Sequence, residues 1–241
     1  MFTVKAGGPR AIFEDDDLLV VDKPAPLVCH SASRPDHPTL ANWLREQGLD
    51  TPRMINRLDR ETSGLVVVAK NERAAKLLGK QVLRRQIEKQ YIAICWGRLE
   101  QEHGVIDSPI GITKSGVVYT KRVIDADAGK PSVTEFAVEQ RLCDFTVVRL
   151  RPRTGRAHQL RVHLASVGHP IVGDKIYGLD ETLYLLFIEQ GMTDELLERL
   201  LLPRHALHAA QVTLRHPQAQ QECFFEAPLP DDMETFIAGH A

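Results

Sequence analysis

"INRLDRETSGLVVVAK", residues 55–70, is the stretch on which the fold turns. Its second half, "GLVVVAK", is an apolar run of the length of a buried strand, far too short to cross a bilayer. Its first half sets one acid, Asp59, between Arg57 and Arg60, then closes on Thr62, Ser63 and Gly64. A surface strand would also alternate charges, but it would not need that ending. Two readings stand open here. The stretch is either a solvated turn held by exposed ion pairs, or a loop that poises one carboxylate against a polyanion.

Working outward, "NERAAKLLGKQVLRR" (71–85) reads as a helix capped by Asn71, with Ala75, Leu78 and Val82 on one face. Upstream, "AIFEDDDLLVVDKP" gives two short strands around an acidic turn, stopped by Pro24, and "PTLANWLREQG" (38–48) gives a short helix with Thr39 as its cap. Downstream, "EKQYIAICWG" (88–97) is a strand. "GKPSVTEFAVEQRL" (129–142) and "FTVVRLRP" (145–152) form an antiparallel pair turning near Cys143 and Asp144. "AHQLRVHLASVG" (157–168) is a helix ended by Gly168, and "ALHAAQVTLRHP" and "ECFFEAPL" are closing strands. Between them lies an acidic, leucine-rich helical insert at about 179–204, whose leucines suit core packing or a subunit contact. Strands and helices out of strict alternation predict an α+β fold: one continuous mixed, largely antiparallel sheet flanked by helices, in a single domain over 1–241.

The chain has 241 residues and a formal net charge of −2, so composition alone does not point to nucleic acid. The distribution does. Residues 53–98 hold eleven bases against four acids, a net +7, and residues 149–163 hold five arginines and no acid. Two basic blocks in a near-neutral chain predict one positive surface that attracts phosphates. "MFTVKAGGPR" has no apolar run of leader length, so a soluble cytoplasmic protein is expected. Four cysteines, Cys29, Cys95, Cys143 and Cys223, stand too far apart for a zinc ribbon or a redox pair, and each is expected to fill a small apolar site.

A second unusual stretch is "RPRTGRAHQLRVHL", residues 151–164. "TGR" reads as a turn with Gly155 free to take positive φ, its amides and Arg156 suited to a phosphate oxygen. His158 and Arg161 are three apart and share a helical face, whereas His163, five from His158, points elsewhere. That spacing disfavours a metal site, since a helical zinc pair wants histidines at i and i+4 with a glutamate between. Ser63 lacks the G-x-S-x-G elbow of a serine nucleophile, and no Gly-rich phosphate loop occurs, so neither metal nor cofactor is expected.

"NRLDRETSGLVVVAK", "EKQYIAICWG", "RTGRAHQLRVHLASVGHPIVGDKIYG" and "HALHAAQVTLRHP", in that order, together resemble the RluA-type pseudouridine synthases, and "DDLLVVDKPAPLVCH" resembles the first motif of that family. The resemblance runs from about residue 17 to 217. It implies the pseudouridine synthase α+β core and the conversion of uridine in structured RNA, ribosomal or transfer, into its carbon-linked isomer without cofactor or metal. It also implies roles. Asp59 matches the catalytic aspartate, Arg57 the arginine that holds the flipped nucleotide, Tyr91 the tyrosine that packs on the uracil, and Arg161 the base that pairs with the catalytic acid. Lys89, Arg156 and His158 fall in the same motifs and are expected to contact the substrate.

The physics fits these roles. A carboxylate can attack the sugar carbon or remove its 2′ proton, and a buried one needs a counter-charge. A flat ring keeps the detached base from escaping. Asn56 stands where the family usually has histidine, and is expected to donate to a phosphate or a backbone group. Many relatives carry an S4-type domain before the first motif. Here that motif begins near residue 16, so a stand-alone catalytic core is expected. The alternatives are an RNA-binding relative without catalysis and a metal-dependent hydrolase built on the histidines.

Overall fold

Short apolar runs bounded by Asp, Gly and Pro become strands here, and three of the helices begin after a side chain that caps them, Thr39, Asn71 and Thr193. The computed structural model describes residues 7–30, 37–113, 118 and 121–241, so the stretch read for a leader begins outside the described residues. In chain order the strands and helices are β1 (Arg10–Glu14), β2 (Leu18–Lys23), α1 (Leu40–Glu46), β3 (Arg53–Met54), β4 (Ser63–Ala69), α2 (Glu72–Leu83), β5 (Glu88–Trp96), β6 (His103–Asp107), β7 (Ile110–Ile112), β8 (Arg122–Ile124), β9 (Val133–Arg141), β10 (Phe145–Pro152), α3 (Gln159–Ser166), α4 (Thr182–Gln190), α5 (Asp194–Leu200), β11 (Leu207–Arg215), β12 (Glu222–Glu226) and α6 (Asp231–His240). The class is α+β with mostly antiparallel pairing. The chain divides into two compact units: one holds the described residues through Lys89 with His208–Pro228, the other Gln90–Leu207 with Leu229–Ala241.

In the first unit the strand order is β1-β2-β4-β11, with β3 also on β4 and β12 on β11. β2 and β4 run antiparallel from Leu18 opposite Ala69 to Lys23 opposite Gly64. β4 meets β11 in parallel, Ser63 opposite His208 and Gly64 opposite Ala209. Every residue of β4 is buried, which is why its sequence is a continuous apolar run and not an alternation. Leu18, Val20, Leu65, Val67, Val212, Leu214 and Phe225 form the core with Leu78 of α2. The helix caps match expectation: Asn71 accepts the Ala74 N–H at 2.8 Å, and Thr39 accepts the Asn42 N–H at 3.0 Å.

The buried face of α2 differs from the one read in the sequence. Ala74, Leu78 and Gln81 are buried, while Val82 is 45% exposed. The cause is Gln81, whose carboxamide donates to the Arg215 carbonyl at 2.7 Å and accepts the Arg215 N–H at 3.0 Å. Pairing that strand end turns the helix toward a polar side chain, and Val82 is left outside.

The ending "TSG" has a packing explanation. Ser63 Oγ lies 2.9 Å from His208 Nδ1, fixing the start of β4 to β11. Gly64 has φ +106°, and a Cβ there would stand 2.3 Å from the Ala209 carbonyl oxygen. Only glycine permits that approach between parallel strands.

In the second unit β5, β10, β9 and β6 pair antiparallel in that order, with Tyr91 opposite Leu150, and β7 and β8 form a separate ribbon. The leucines of the insert pack on one another: Leu183 of α4 against Leu196 and Leu200 of α5, with Phe187 beside them. α6 is tied back by Asp232, whose carboxylate takes Nε and Nη2 of the buried Arg204 at 2.7 and 2.8 Å. Of the four thiols, Cys29 and Cys95 are buried as expected, but Cys143 is exposed because it sits in the hairpin turn. Among the described residues no helix is long and apolar enough to cross a membrane.

Gly64→Ala is expected to cost about 3 kcal/mol or more, from backbone overlap and a strained φ together. Urea unfolding measures it, and an unchanged midpoint would show that the β4–β11 approach does not constrain this position.

Candidate active site

The loop that carries Asp59 begins where β3 leaves β4. Ile55 still donates its N–H to the Val67 carbonyl at 2.8 Å. At residue 56 the side chain takes over from the backbone. Asn56 Nδ2 donates to the Leu65 carbonyl at 3.1 Å, and Oδ1 accepts the Val67 N–H at 2.9 Å. β3 thus serves β4 at residues 68 and 69, β11 serves it at 63 and 64, and one carboxamide fills the gap between them. Of the two roles expected for Asn56, donation to a backbone group is seen here, within its own sheet.

Beyond Asn56 the main chain turns out of the sheet and is fastened again. Buried Leu58 donates its N–H to Cys29 Sγ at 3.4 Å, and the thiol donates back to the Leu58 carbonyl at 3.6 Å. The Thr62 N–H reaches the Asp59 carbonyl at 3.2 Å, closing a turn. Lys23 is fully buried, and its Nζ donates to the carbonyls of Leu27 at 2.7 Å, Pro24 at 3.0 Å and Arg60 at 3.4 Å. A buried ammonium is costly unless its hydrogens are taken, and these carbonyls take them. Burial also pushes the Cys29 thiol up, so it is a packing group and not a nucleophile. Asp59 is half-buried in this frame. Arg57 is exposed, with Nη1 3.3 Å from His30 Nε2.

In the second unit the "TGR" turn is organised by Gln159. Its Oε1 accepts from Thr154 Oγ1 at 2.8 Å and from the Arg156 N–H at 3.0 Å, while Nε2 donates to the Val133 carbonyl at 2.9 Å. The Arg156 amide is therefore engaged internally. The Arg156 side chain is exposed, with Nε 3.4 Å from the Pro131 carbonyl. Gly155 was expected to supply positive φ, but His158 does so, at φ 59°. It turns the chain into α3 and brings its Nδ1 to 2.8 Å from the Tyr177 hydroxyl.

Arg161 lies one turn along, 5% exposed. Its Nε and Nη2 donate to Asp174 at 2.6 and 2.8 Å, and its guanidinium carbon stands 4.9 Å over the Tyr177 ring. Asp174 also accepts the N–H groups of Ile176 and Tyr177 at 3.0 Å each. Burial raises the Asp174 carboxyl, but the Arg161 charge and these hydrogen bonds outweigh it and hold the group well below the usual carboxylate range. The shared face predicted for His158 and Arg161 exists, and Tyr177 is what both touch.

His163 is fully buried, with Nε2 3.0 Å from the Ser108 carbonyl and Nδ1 2.9 Å from Thr134 Oγ1, so both ring nitrogens serve the core. Burial pushes it and His205 down; at His205 the Arg161 charge adds to the effect. Tyr91, 8% exposed, stands on β5, and Lys89, half-buried two residues before it, is pushed down by burial. Among the described residues no group of three or more His, Cys, Asp or Glu could hold a metal ion.

Lys23, Asp174 and Tyr177 carry this architecture, yet spacing alone did not single them out. The available signals were weak: a lysine directly before Pro24 at the end of an apolar strand, and an acid within "GDKIYG". Chemically, the first unit offers a carboxylate and an exposed guanidinium on one braced loop. The second offers a desolvated guanidinium held in a fixed plane, and the buried ring of Tyr91 on β5.

A family model described as RNA pseudouridylate synthase matches residues 17–166. Ribosomal large subunit pseudouridine synthase D of Nitrosomonas europaea is 38% identical over 233 residues, covering 95% of this chain and 64% of that protein. The chain therefore spans less than two thirds of that relative's length. An uncharacterized RNA pseudouridine synthase of Chlorobaculum parvum is 40% identical over 238 residues, covering 94% of this chain and 72% of that one. Human RNA pseudouridylate synthase domain containing 1 superposes with a TM-score of 0.71 at 25% identity, covering 99% of this chain and 97% of the other.

Asn56→Ala leaves two buried backbone groups of β4 unpaired and is expected to cost about 2–4 kcal/mol, read by denaturant unfolding. Asn56→Asp keeps the acceptor but sets a carboxylate against the Leu65 carbonyl, so it should not rescue. Stability should also fall with acid in two limbs. The depressed His163 and His205 contribute stability that is present above their unfolded value of about 6.5 and is lost as pH drops below it. Asp174 contributes stability that is present above about 3.9 and is lost at lower pH still. Unfolding measured from pH 8 down to about 2 follows both limbs, and Asp174→Asn should remove the lower one while costing about 3–5 kcal/mol near neutrality.

Proposed function

The chain belongs to the RNA pseudouridylate synthases, in their RluA-type branch, and from that premise we propose that it isomerises uridine to pseudouridine in ribosomal RNA, with Asp59 as the catalytic carboxylate. The reaction breaks the bond from C1′ of the ribose to N1 of uracil, turns the base and joins C1′ to C5; C5 then loses its proton and N1 takes one up, so the product is an isomer. Asp59 begins it, by attack on C1′ or by removal of the 2′ proton, and either route needs the carboxylate fixed against the sugar.

The observation that carries this reading is the bracing of the Asp59 loop. Asn56, Cys29 and Lys23 fasten the loop at residues 56, 58 and 60, on either side of the half-buried Asp59, and Arg57 is exposed. A loop of solvated ion pairs would not need three buried attachments. Arg57, exposed on that loop, is assigned to the displaced nucleotide's phosphate, and Tyr91 to the face of the uracil. Arg161 is assigned the counter-charge of the catalytic acid. Asp174 and Tyr177 fix the orientation of its guanidinium. Lys89, Arg156 and His158 are assigned to RNA contacts. The ribosomal substrate class is supported by the names of the Nitrosomonas relative and of a Vibrio parahaemolyticus relative 38% identical over 230 residues, both synthases of the large ribosomal subunit.

Asp59→Ala should abolish pseudouridine formation while RNA binding persists within a few-fold. The measurement maps pseudouridine in ribosomal RNA from cells lacking the gene, after incubation with wild type or variant. Turnover by the alanine variant would refute the catalytic assignment, and binding without isomerisation by the wild type would favour a non-catalytic RNA-binding role.

A further inference from the structure

From residue 73 to 87 the chain holds five bases, Arg73, Lys76, Lys80, Arg84 and Arg85, and no acid. Arg73, Lys80 and Arg84 lie seven and four apart, so they fall within about 40° of one another around α2 and its C-cap, in a stripe about 16 Å long. All three are exposed, while the helix buries Ala74, Leu78 and Gln81 on its inner side. None of the three has an acidic partner among the described residues. The ion pair on this face joins Lys76 to Glu72, both more than two thirds exposed, and water screens it. The helix is held at each end, by the Asn71 cap and by the two Gln81 bonds to Arg215.

This stripe works against the helix that carries it. Lys76 with Lys80, and Lys80 with Arg84, are like charges four apart, each destabilising a helix by about 0.2–0.5 kcal/mol. A helix selected only for solubility would mix signs. A repulsive row, on a rigid element, in a chain of net charge −2, is explained by an external polyanion that relieves it.

Its place in the first unit says which part of an RNA it meets. β4 runs from the Asp59 loop toward α2, and Gln81 docks on Arg215, the last residue of β11, which runs parallel to β4. The end of α2 therefore lies about 20 Å along the sheet from the start of β4, several base pairs along a duplex. We infer that Arg73, Lys80 and Arg84 bind the phosphate backbone of RNA flanking the target uridine, not the target nucleotide. This rests on the RNA reading above and extends it to a second contact surface.

The test uses a fluorescein-labelled RNA duplex of twenty base pairs and fluorescence anisotropy between 50 and 200 mM KCl, comparing wild type with Arg73→Gln/Lys80→Gln/Arg84→Gln. Each lost phosphate contact removes about 0.7–0.9 from the slope of log affinity against log salt, so the triple variant should be flatter by about two to three. Arg73→Lys/Arg84→Lys keeps the charges and should keep the slope. An unchanged slope in the glutamine variant overturns the inference, as does an equal loss in the lysine variant, which would mark a packing effect. Neither readout depends on catalysis. Failure of the wild type to isomerise uridine would therefore count against the proposed function and leave this comparison standing.

Discussion

β4 is buried on both faces, so each of its backbone polar groups needs a partner inside the protein. That demand shapes the first unit. One edge is satisfied by β2 from Gly64 to Ala69, and the other is shared by β11, a single carboxamide and β3 in turn. Because Asn56 does with its side chain what a strand residue does with its main chain, the backbone is released there. The Asp59 loop exists at that point because a strand does not continue. Gly64 and Ser63 then bring the chain back in tight register against β11.

Buried charge follows the same rule in both units. Lys23 is sealed under the Asp59 loop by carbonyl oxygens, and Arg161 is set in the Asp174 carboxylate with Tyr177 beneath it. Neither arrangement is a strong source of stability, since desolvation offsets most of the attraction. What they supply is position: a charged group with every hydrogen bond fixed has one orientation available to it.

Much of this was legible in the sequence. The continuous apolar run of β4, the hairpin of β9 and β10, the caps at Asn71 and Thr39 and the helical insert all follow from local pattern. The misreadings share a cause, which is a polar group employed inside. Gln81 is turned inward where the pattern favoured Val82. His158, and not Gly155, takes the left-handed conformation, with Tyr177 beside its ring. Asp59 and Arg57 could be read together because they sit within one motif. Lys23 with Arg60, Arg161 with Asp174 and His158 with Tyr177 lie 37, 13 and 19 residues apart, and no local spacing rule joins them.

Three side-chain amides, Asn56, Gln81 and Gln159, each act as a spare peptide unit, donating and accepting at once. That economy carries a chemical liability. Hydrolysis of any one of them to an acid would replace a donor by a negative oxygen facing a carbonyl, converting a clasp into a wedge. Slow thermal ageing, and not only unfolding, therefore bears on how long the Asp59 loop and the turn before α3 hold their shape.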